Sequence, residues 1–472
     1  MWRKTRVILL AVVCAAEVQA QYITEVLEYK PAPGQFINSP PWGIPHSVNS
    51  LIGNNTGSLS LGAFGGYVVF RFAGPVENDP DNPFGVDFTI FGNPSHDMSE
   101  PGIVSVMNDE NRNGLPDDVW YELAGSEYFF SSTTKDYEVT YYNPAMSSAA
   151  DVPWSDNQGN SGFIPANVYH PQPYYPITDS FPCIPPDEYT LKGTVIAGEI
   201  DRSNPSLMRI KRKAFGYADN QFRGIPPYTL PDNPYTPEKE NSGGDGFDIS
   251  WAVDENGEYV DLEEVHFIKV YTAILADAGW LGEVSTEITG AVDVAPGNTV
   301  TGNTELIVLK DLPGTITGNN YQIEAIAFDN GRWNNSATIN WSVNLPGATI
   351  NEENQLSFTT SGKVIITASL AGNPSITASD SSILVYQEHP SSADQNSLSL
   401  VRIYPNPAPE YLIIEGVSYA LLDIYDLTGH KVLSRERIME GEPVSVAQFE
   451  KGIYLVHIIL GSERKTMRLV KV

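Results

Sequence analysis

Phe247-Asp248-Ile249-Ser250-Trp251-Ala252-Val253, Asp254-Glu255-Asn256-Gly257 and Val265-His266-Phe267-Ile268-Lys269-Val270-Tyr271 lie close together in the chain. In the two outer runs apolar residues alternate with others, the period of a strand whose successive side chains point to opposite faces. The Asn-Gly pair between them predicts a hairpin turn. Gly66-Tyr67-Val68-Val69-Phe70-Arg71-Phe72, Val86-Asp87-Phe88-Thr89-Ile90-Phe91 and Tyr137-Glu138-Val139-Thr140-Tyr141-Tyr142 repeat the strand pattern. No stretch holds a helical period with caps at its ends. Many short strands separated by Pro-, Gly- and Asn-rich connections predict an all-β chain, with a long-looped β-sandwich or jelly roll in its first part.

At 472 residues the chain is too long for one ordinary domain. Residues 21–293 are dense in Pro, Tyr and Asn. Residues 294–390 change to alternating Thr, Ser, Ile and Val, as in Thr338-Ile339-Asn340-Trp341-Ser342-Val343, and predict an Ig-like β-sandwich with spacer as its default role. Residues 391–396 are a polar linker, and 397–472 form a last small β-sandwich with Asp426-Leu427-Thr428-Gly429 as a hairpin turn. Residues 1–20 have a basic start, an apolar run from Val7 to Ala16 and the small-residue site Val18-Gln19-Ala20, the pattern of a secretory signal peptide cut after Ala20. That run is too short to span a membrane in the mature chain.

The balance of 28 basic against 58 acidic residues, a net charge of −30, argues against nucleic acid as a partner and suits an extracellular surface that binds cations. Removal of Cys14 with the signal peptide leaves Cys183 alone, so no intrachain disulfide is expected.

Asp109-Glu110-Asn111-Arg112-Asn113-Gly114-Leu115-Pro116-Asp117-Asp118 carries oxygen-bearing side chains at its first, third, fifth and ninth positions and glycine at its sixth. That is the spacing of a loop wrapped around a hard cation. Asp109, Asn111, Asn113 and Asp117 would supply side-chain oxygens and Leu115 its carbonyl to a structural calcium ion. The twelfth position, a bidentate acid in an EF-hand, is Trp120, so the loop is closer to the calcium loops of thrombospondin type 3 and dockerin repeats. A polar turn without metal is the alternative.

The long loops hold Trp154, Asn157, Tyr174, Tyr175, Tyr217 and Trp280. Flat aromatic faces beside Asn, Asp and Gln suit a sugar or a planar macrocycle, and these six residues are the candidate ligand contacts, with Trp154, Tyr174, Tyr175, Tyr217 and Trp280 expected to form at least part of one concave face. Aromatics that pin loops to their own sandwich are the alternative.

Glu100-Pro101-Gly102-Ile103-Val104, Asn111 to Ser126, Asp151-Val152-Pro153-Trp154-Ser155-Asp156-Asn157-Gln158-Gly159, Gly246 to Val253 and Gly279-Trp280-Leu281-Gly282-Glu283 together resemble a group of Bacteroidota cell-surface proteins over most of residues 22–293. Some of that group are associated with outer-membrane corrinoid (vitamin B12) uptake. The resemblance implies surface binding of a ligand, a corrinoid before a glycan, but carries over no ligand-contact residues. Those relatives are mostly lipoproteins, whereas Val13 before Cys14 breaks the lipobox. The C-terminal part, with Tyr404-Pro405-Asn406-Pro407, Leu422 to Val432, Lys451 to Ile458 and Arg468-Leu469-Val470-Lys471-Val472, resembles the type A sorting domain of the type IX secretion system. That resemblance implies export across the outer membrane, followed by surface attachment or release.

Enzyme chemistry has little footing. The seven histidines show no metalloprotease spacing. Gly159-Asn160-Ser161-Gly162 lacks the His-Asp frame of a serine protease. A surface hydrolase using two carboxylates remains the minority reading.

Overall fold

The structure, a computed structural model, describes residues 21–95, 98–198, 200–202, 208–222, 224–294, 300–387, 401–416, 419–439, 441–460 and 463–472. The signal-peptide segment and the linker at 391–396 lie outside the described residues. Among the described residues the architecture is all-β, without a closed barrel.

The first unit is built on a six-stranded antiparallel sheet. Its strands, in chain order and together with those of a second sheet, are β1 (Glu25–Lys30), β2 (Tyr67–Arg71), β3 (Gly102–Met107), β4 (Trp120–Leu123), β5 (Thr134–Tyr142), β6 (Val152–Asp156), β7 (Ser161–Ile164), β8 (Glu188–Val195), β9 (Ala252–Val253) and β10 (Phe267–Thr272). The large sheet runs β9-β4-β3-β10-β2-β1, and β7-β6-β5-β8 form the second. Period-2 alternation gives the large sheet two unlike faces. Val68, Phe70, Val104, Val106, Ile268 and Val270 point inward, in one core with Phe88, Ile90, Phe247 and Ala291 of a smaller four-stranded sheet. Tyr67, Val69, Ser105, Trp120, Glu122, Lys269 and Tyr271 hold the outer positions.

Two details differ from the alternation pattern. The run 247–253 is not one strand: Asp245–Phe247 ends at Asp248, whose carboxylate accepts the Ser250 N–H at 2.7 Å and caps a single 3-10 turn, Ile249–Trp251. The turn at Asp254–Gly257 does form, with the Asp254 N–H donating to the Glu258 carbonyl at 2.9 Å. Its hairpin is local, however, joining Val253 to Tyr259. β9 pairs instead with β4, and β10 enters the sheet between β2 and β3. Inside the sheet β10 buries Ile268 and Val270 and has a hydrogen-bonded neighbour on each side, which a two-stranded hairpin would not supply.

The second unit is Ig-like, with sheets that include Ile339–Val343, Gly362–Leu370 and Thr377–Tyr386. It is fused to the first unit, in contrast to the spacer role its composition suggested. In the pair Glu305–Leu309 and Ala325–Asp329, Ile307 and Ala327 face their own sandwich, whereas Val308, Ile326 and Phe328 join the first unit's core. Phe215 meets Trp251 and Phe328 edge-on, each at 5.1 Å between ring centroids, and the Trp251 indole N–H donates to the Asn330 carbonyl at 2.9 Å.

The last unit, from Val401, has its own core around Leu412, Leu422, Ile424, Val456 and Ile458. The Asp426–Gly429 turn forms as expected between Tyr419–Tyr425 and Lys431–Met439, with Asp426 accepting the Thr428 and His430 N–H groups. Among the described residues no helix is long and apolar enough to cross a membrane.

Candidate functional site

Strand register sets a row of directly opposed residues on the outer face of the large sheet: Glu28, Val69, Lys269, Ser105 and Glu122. Lys269 is its centre. The Lys269 ammonium lies 4.7 Å from the centroid of the Trp120 ring and 6.0 Å from that of Tyr67. Its carboxylate neighbours stand two strands away on either side, about 10 Å at the spacing of paired strands. No hydrogen bond or ion pair holds the Lys269 ammonium among the described residues. Burial pushes its pKa down, against the pull of Glu122 and Glu28.

β8 and β5 wall this face. An added Cβ on Gly193 would meet the Tyr271 ring at 2.6 Å, so glycine allows β8 this close approach. The Tyr271 hydroxyl accepts the Thr194 N–H at 2.9 Å and donates to Glu122 at 3.2 Å, and the Thr194 hydroxyl donates to Glu122 at 2.8 Å. Burial raises the Glu122 carboxyl, partly offset by Lys135 and these hydrogen bonds. Lys135 sits over the Tyr128 ring and donates to the Tyr128 carbonyl at 2.8 Å, and Lys192 pairs with Asp136 at 3.2 Å. Two adjoining cavities of about 230 and 550 Å³ share Trp120, Lys192, Lys269 and Tyr271. The result is an open cleft with an aromatic floor and a few convergent polar groups, the composition of a small-molecule or sugar site.

The 109–118 loop leads directly into Trp120, and its Pro116 lines the smaller cavity. Gly114 takes a φ of +75°, the tight turn anticipated at the sixth position. Asp109 accepts the N–H groups of Asn113 at 3.0 Å and Gly114 at 2.9 Å. Asp156, Asp254 and Asp426 bind their own turns in a similar manner. What sets this loop apart is a second carboxylate folded back across it: Asn111 and Asn113 both direct their amide nitrogens to Asp117, at 3.0 and 3.1 Å from one oxygen. The Asn111 and Asn113 amide oxygens accept the Asn113 and Leu115 N–H groups at 3.0 and 2.7 Å, and each keeps a second lone pair that could serve a cation beside the Asp109 and Asp117 carboxylates. The donor set fits a hard cation.

The five aromatics expected to share one concave face do not make one. Tyr174 and Tyr175 are buried in the core beneath β5–β8, where their hydroxyls serve the Asn167 N–H at 3.0 Å and the Pro185 carbonyl at 2.7 Å. Tyr217 is buried in a separate cluster with Ile103 and Tyr271, its hydroxyl accepting the Glu127 N–H. Trp154 is half-buried against the Tyr174 core, Asn157 is exposed and donates to the Asp136 carbonyl, and Trp280 is 53% exposed. Loop position alone does not expose an aromatic. Here long loops fold back as part of the core, and the ring areas involved make that burial worthwhile.

A buried acidic group was also invisible to sequence reading: Glu100, Asp219 and Glu287 bring carboxylate oxygens within 4.8 Å of one another. Burial is the largest cause raising all three, and Glu287 reaches about 7. These residues come from distant parts of the chain, and no local spacing joins them.

The described residues thus make three β units, the first bearing an open cleft. Residues 402–472 match the family model described as the secretion system C-terminal sorting domain. This chain is thereby an export substrate of type IX secretion, bound for the cell surface or the extracellular space. Among curated proteins none matches the chain. Solved structures similar to it include a chimeric titin Z1Z2 (14% identity, 37% of this chain, 98% of that one, TM-score 0.20). The Escherichia coli adhesin FdeC is similar at 10% identity (47% and 80%, TM-score 0.19), as are Sidekick-1 immunoglobulin domains 1–5 at 8% (81% and 80%, TM-score 0.18).

Proposed function

We propose that the exported protein captures an extracellular ligand in the cleft around Lys269 and Trp120, and binds it without turning it over. The observation that carries this reading is an ammonium with no ion-pair partner among the described residues, set between aromatic rings on the floor of an open cleft. The resemblance to surface proteins of corrinoid uptake makes a corrinoid the first ligand to test: a macrocycle offers a broad face for rings and a polar rim. A glycan is the second reading, since sugar rings stack on the same side chains. A hydrolase would need two carboxylates flanking an accessible bond, and Glu122 is already engaged by Thr194 and Tyr271. A calcium ion held by Asp109, Asn111, Asn113, Asp117 and the Leu115 carbonyl would fix the loop that delivers Trp120.

Thermal-shift measurement of the mature chain against cyanocobalamin and an oligosaccharide panel tests the reading by mass action. One ligand should raise the melting temperature, and Trp120→Ala should abolish the rise. A rise lost in Trp280→Ala but kept in Trp120→Ala would place binding elsewhere and overturn the assignment.

A further inference from the structure

We propose that the ligand of this cleft carries an oxyanion, a carboxylate or a phosphate, received between Lys269 and Lys30. This inference rests on the cleft being the binding site and adds the charge of what binds there. The chain is strongly acidic, with 58 acidic against 28 basic residues. The smaller cavity reverses that balance, with Lys30, Lys192 and Lys269 along its walls against one carboxylate, Glu28. Lys192 is already paired with Asp136 and Glu138. Glu28 accepts the Tyr67 hydroxyl at 3.0 Å. Lys30 stands directly opposite Tyr67 across the strand pair, and Lys269 reaches the same ring from the neighbouring strand.

Among the described residues neither the Lys30 nor the Lys269 ammonium has a hydrogen bond or an ion pair. Both ammonium groups face aromatic rings instead, Lys30 with Tyr189 at 5.8 Å and Lys269 with Trp120 and Tyr67. Two ammonium groups partly withdrawn from water in one cavity lose hydration that no anionic partner restores. An oxyanion between them offsets that loss and gains charge-assisted hydrogen bonds. The rings of Tyr67 and Trp120 would then meet the body of the ligand rather than its charge.

Simple anions serve as probes in place of the natural ligand. The mature chain is labelled with an amine reagent in limiting amount, and each lysine is read by peptide mass spectrometry with glucuronate, inorganic phosphate or glucose present. Lys30 and Lys269 should be protected roughly tenfold at an anion concentration about ten times its Kd. The exposed Lys363 should be unaffected, and glucose should protect neither. Protection by glucuronate alone assigns a carboxylated ring, and protection by phosphate assigns a phosphate-bearing ligand. Lys269→Met should cancel the protection of Lys30. Equal protection by glucose and glucuronate, or no protection by either anion, overturns the oxyanion assignment. Ligand capture itself stands or falls separately, on the thermal-shift measurement.

Discussion

Phe328 belongs to the Ig-like unit by sequence and to the first unit by packing. It is 1% exposed and meets Phe215 at 5.1 Å in the core that also holds Tyr235 and Trp251. Phe328→Ala removes a ring from a site closed by rigid neighbours on both sides, a change that costs about 3–5 kcal/mol. Were the second unit a free spacer, that loss would be confined to residues 300–387. The shared core predicts that it also loosens Asp245–Val253, which carries Phe247 and Trp251. In hydrogen-exchange mass spectrometry, a loss of about 3 kcal/mol corresponds to roughly a hundredfold faster exchange wherever opening requires the shared core to part. Faster exchange in both 245–253 and 305–329 is the expected result. Acceleration restricted to 305–386, with 245–253 unchanged, would refute the fused core.

Burial is the leading cause raising the carboxyls of Asp87, Asp245 and Glu283 to about 8 and that of Glu287 to about 7. The folded state therefore keeps protons that the unfolded chain releases near pH 4. The associated stability is full below that range and is lost as pH rises through 7 to 8, by up to about 1.4 kcal/mol per group per pH unit. Melting temperature should fall between pH 5 and pH 8 in calorimetry, and a flat or rising profile contradicts this. If the 109–118 loop binds calcium, an ion at about a hundred times its Kd adds about 2.7 kcal/mol. Asp109→Ala should remove the calcium-dependent gain in melting temperature and Glu110→Ala should keep it, whereas identical curves in calcium and chelator would leave only a polar turn. Deleting residues 397–472 should strand the protein in the periplasm, and its appearance at the surface by fractionation would contradict the sorting role.

Alternation revealed β5 because one of its faces is buried and the other is not, whereas β2 and β10 are buried on both faces over most of their length and were legible from their β-branched and aromatic residues. Pairing partners were another matter. The local signal at Asp254–Gly257 marked a turn correctly but not the destination of Val265–Tyr271, since strand order follows from burial contributed by residues a hundred or more positions away. Tyr174, Tyr175 and Tyr217 read as binding aromatics because loop composition says nothing of whether a loop packs inward. The cleft residue did leave a trace: Phe267-Ile268-Lys269-Val270-Tyr271 places a lysine on the same face as two aromatics. A charge at such a position is unusual enough to mark a face with a job. The Asp109–Asp118 spacing was legible for the opposite reason, because every donor lies within ten residues.

The most direct test of ligand capture by the cleft is a hydrogen-exchange map of the mature chain with and without the ligand found by thermal shift. Slowed exchange in 67–71, 119–123 and 267–272, with Trp120→Ala removing it, is the predicted result. Protection centred on 154–177 and 278–283, with those three segments unchanged, would contradict it.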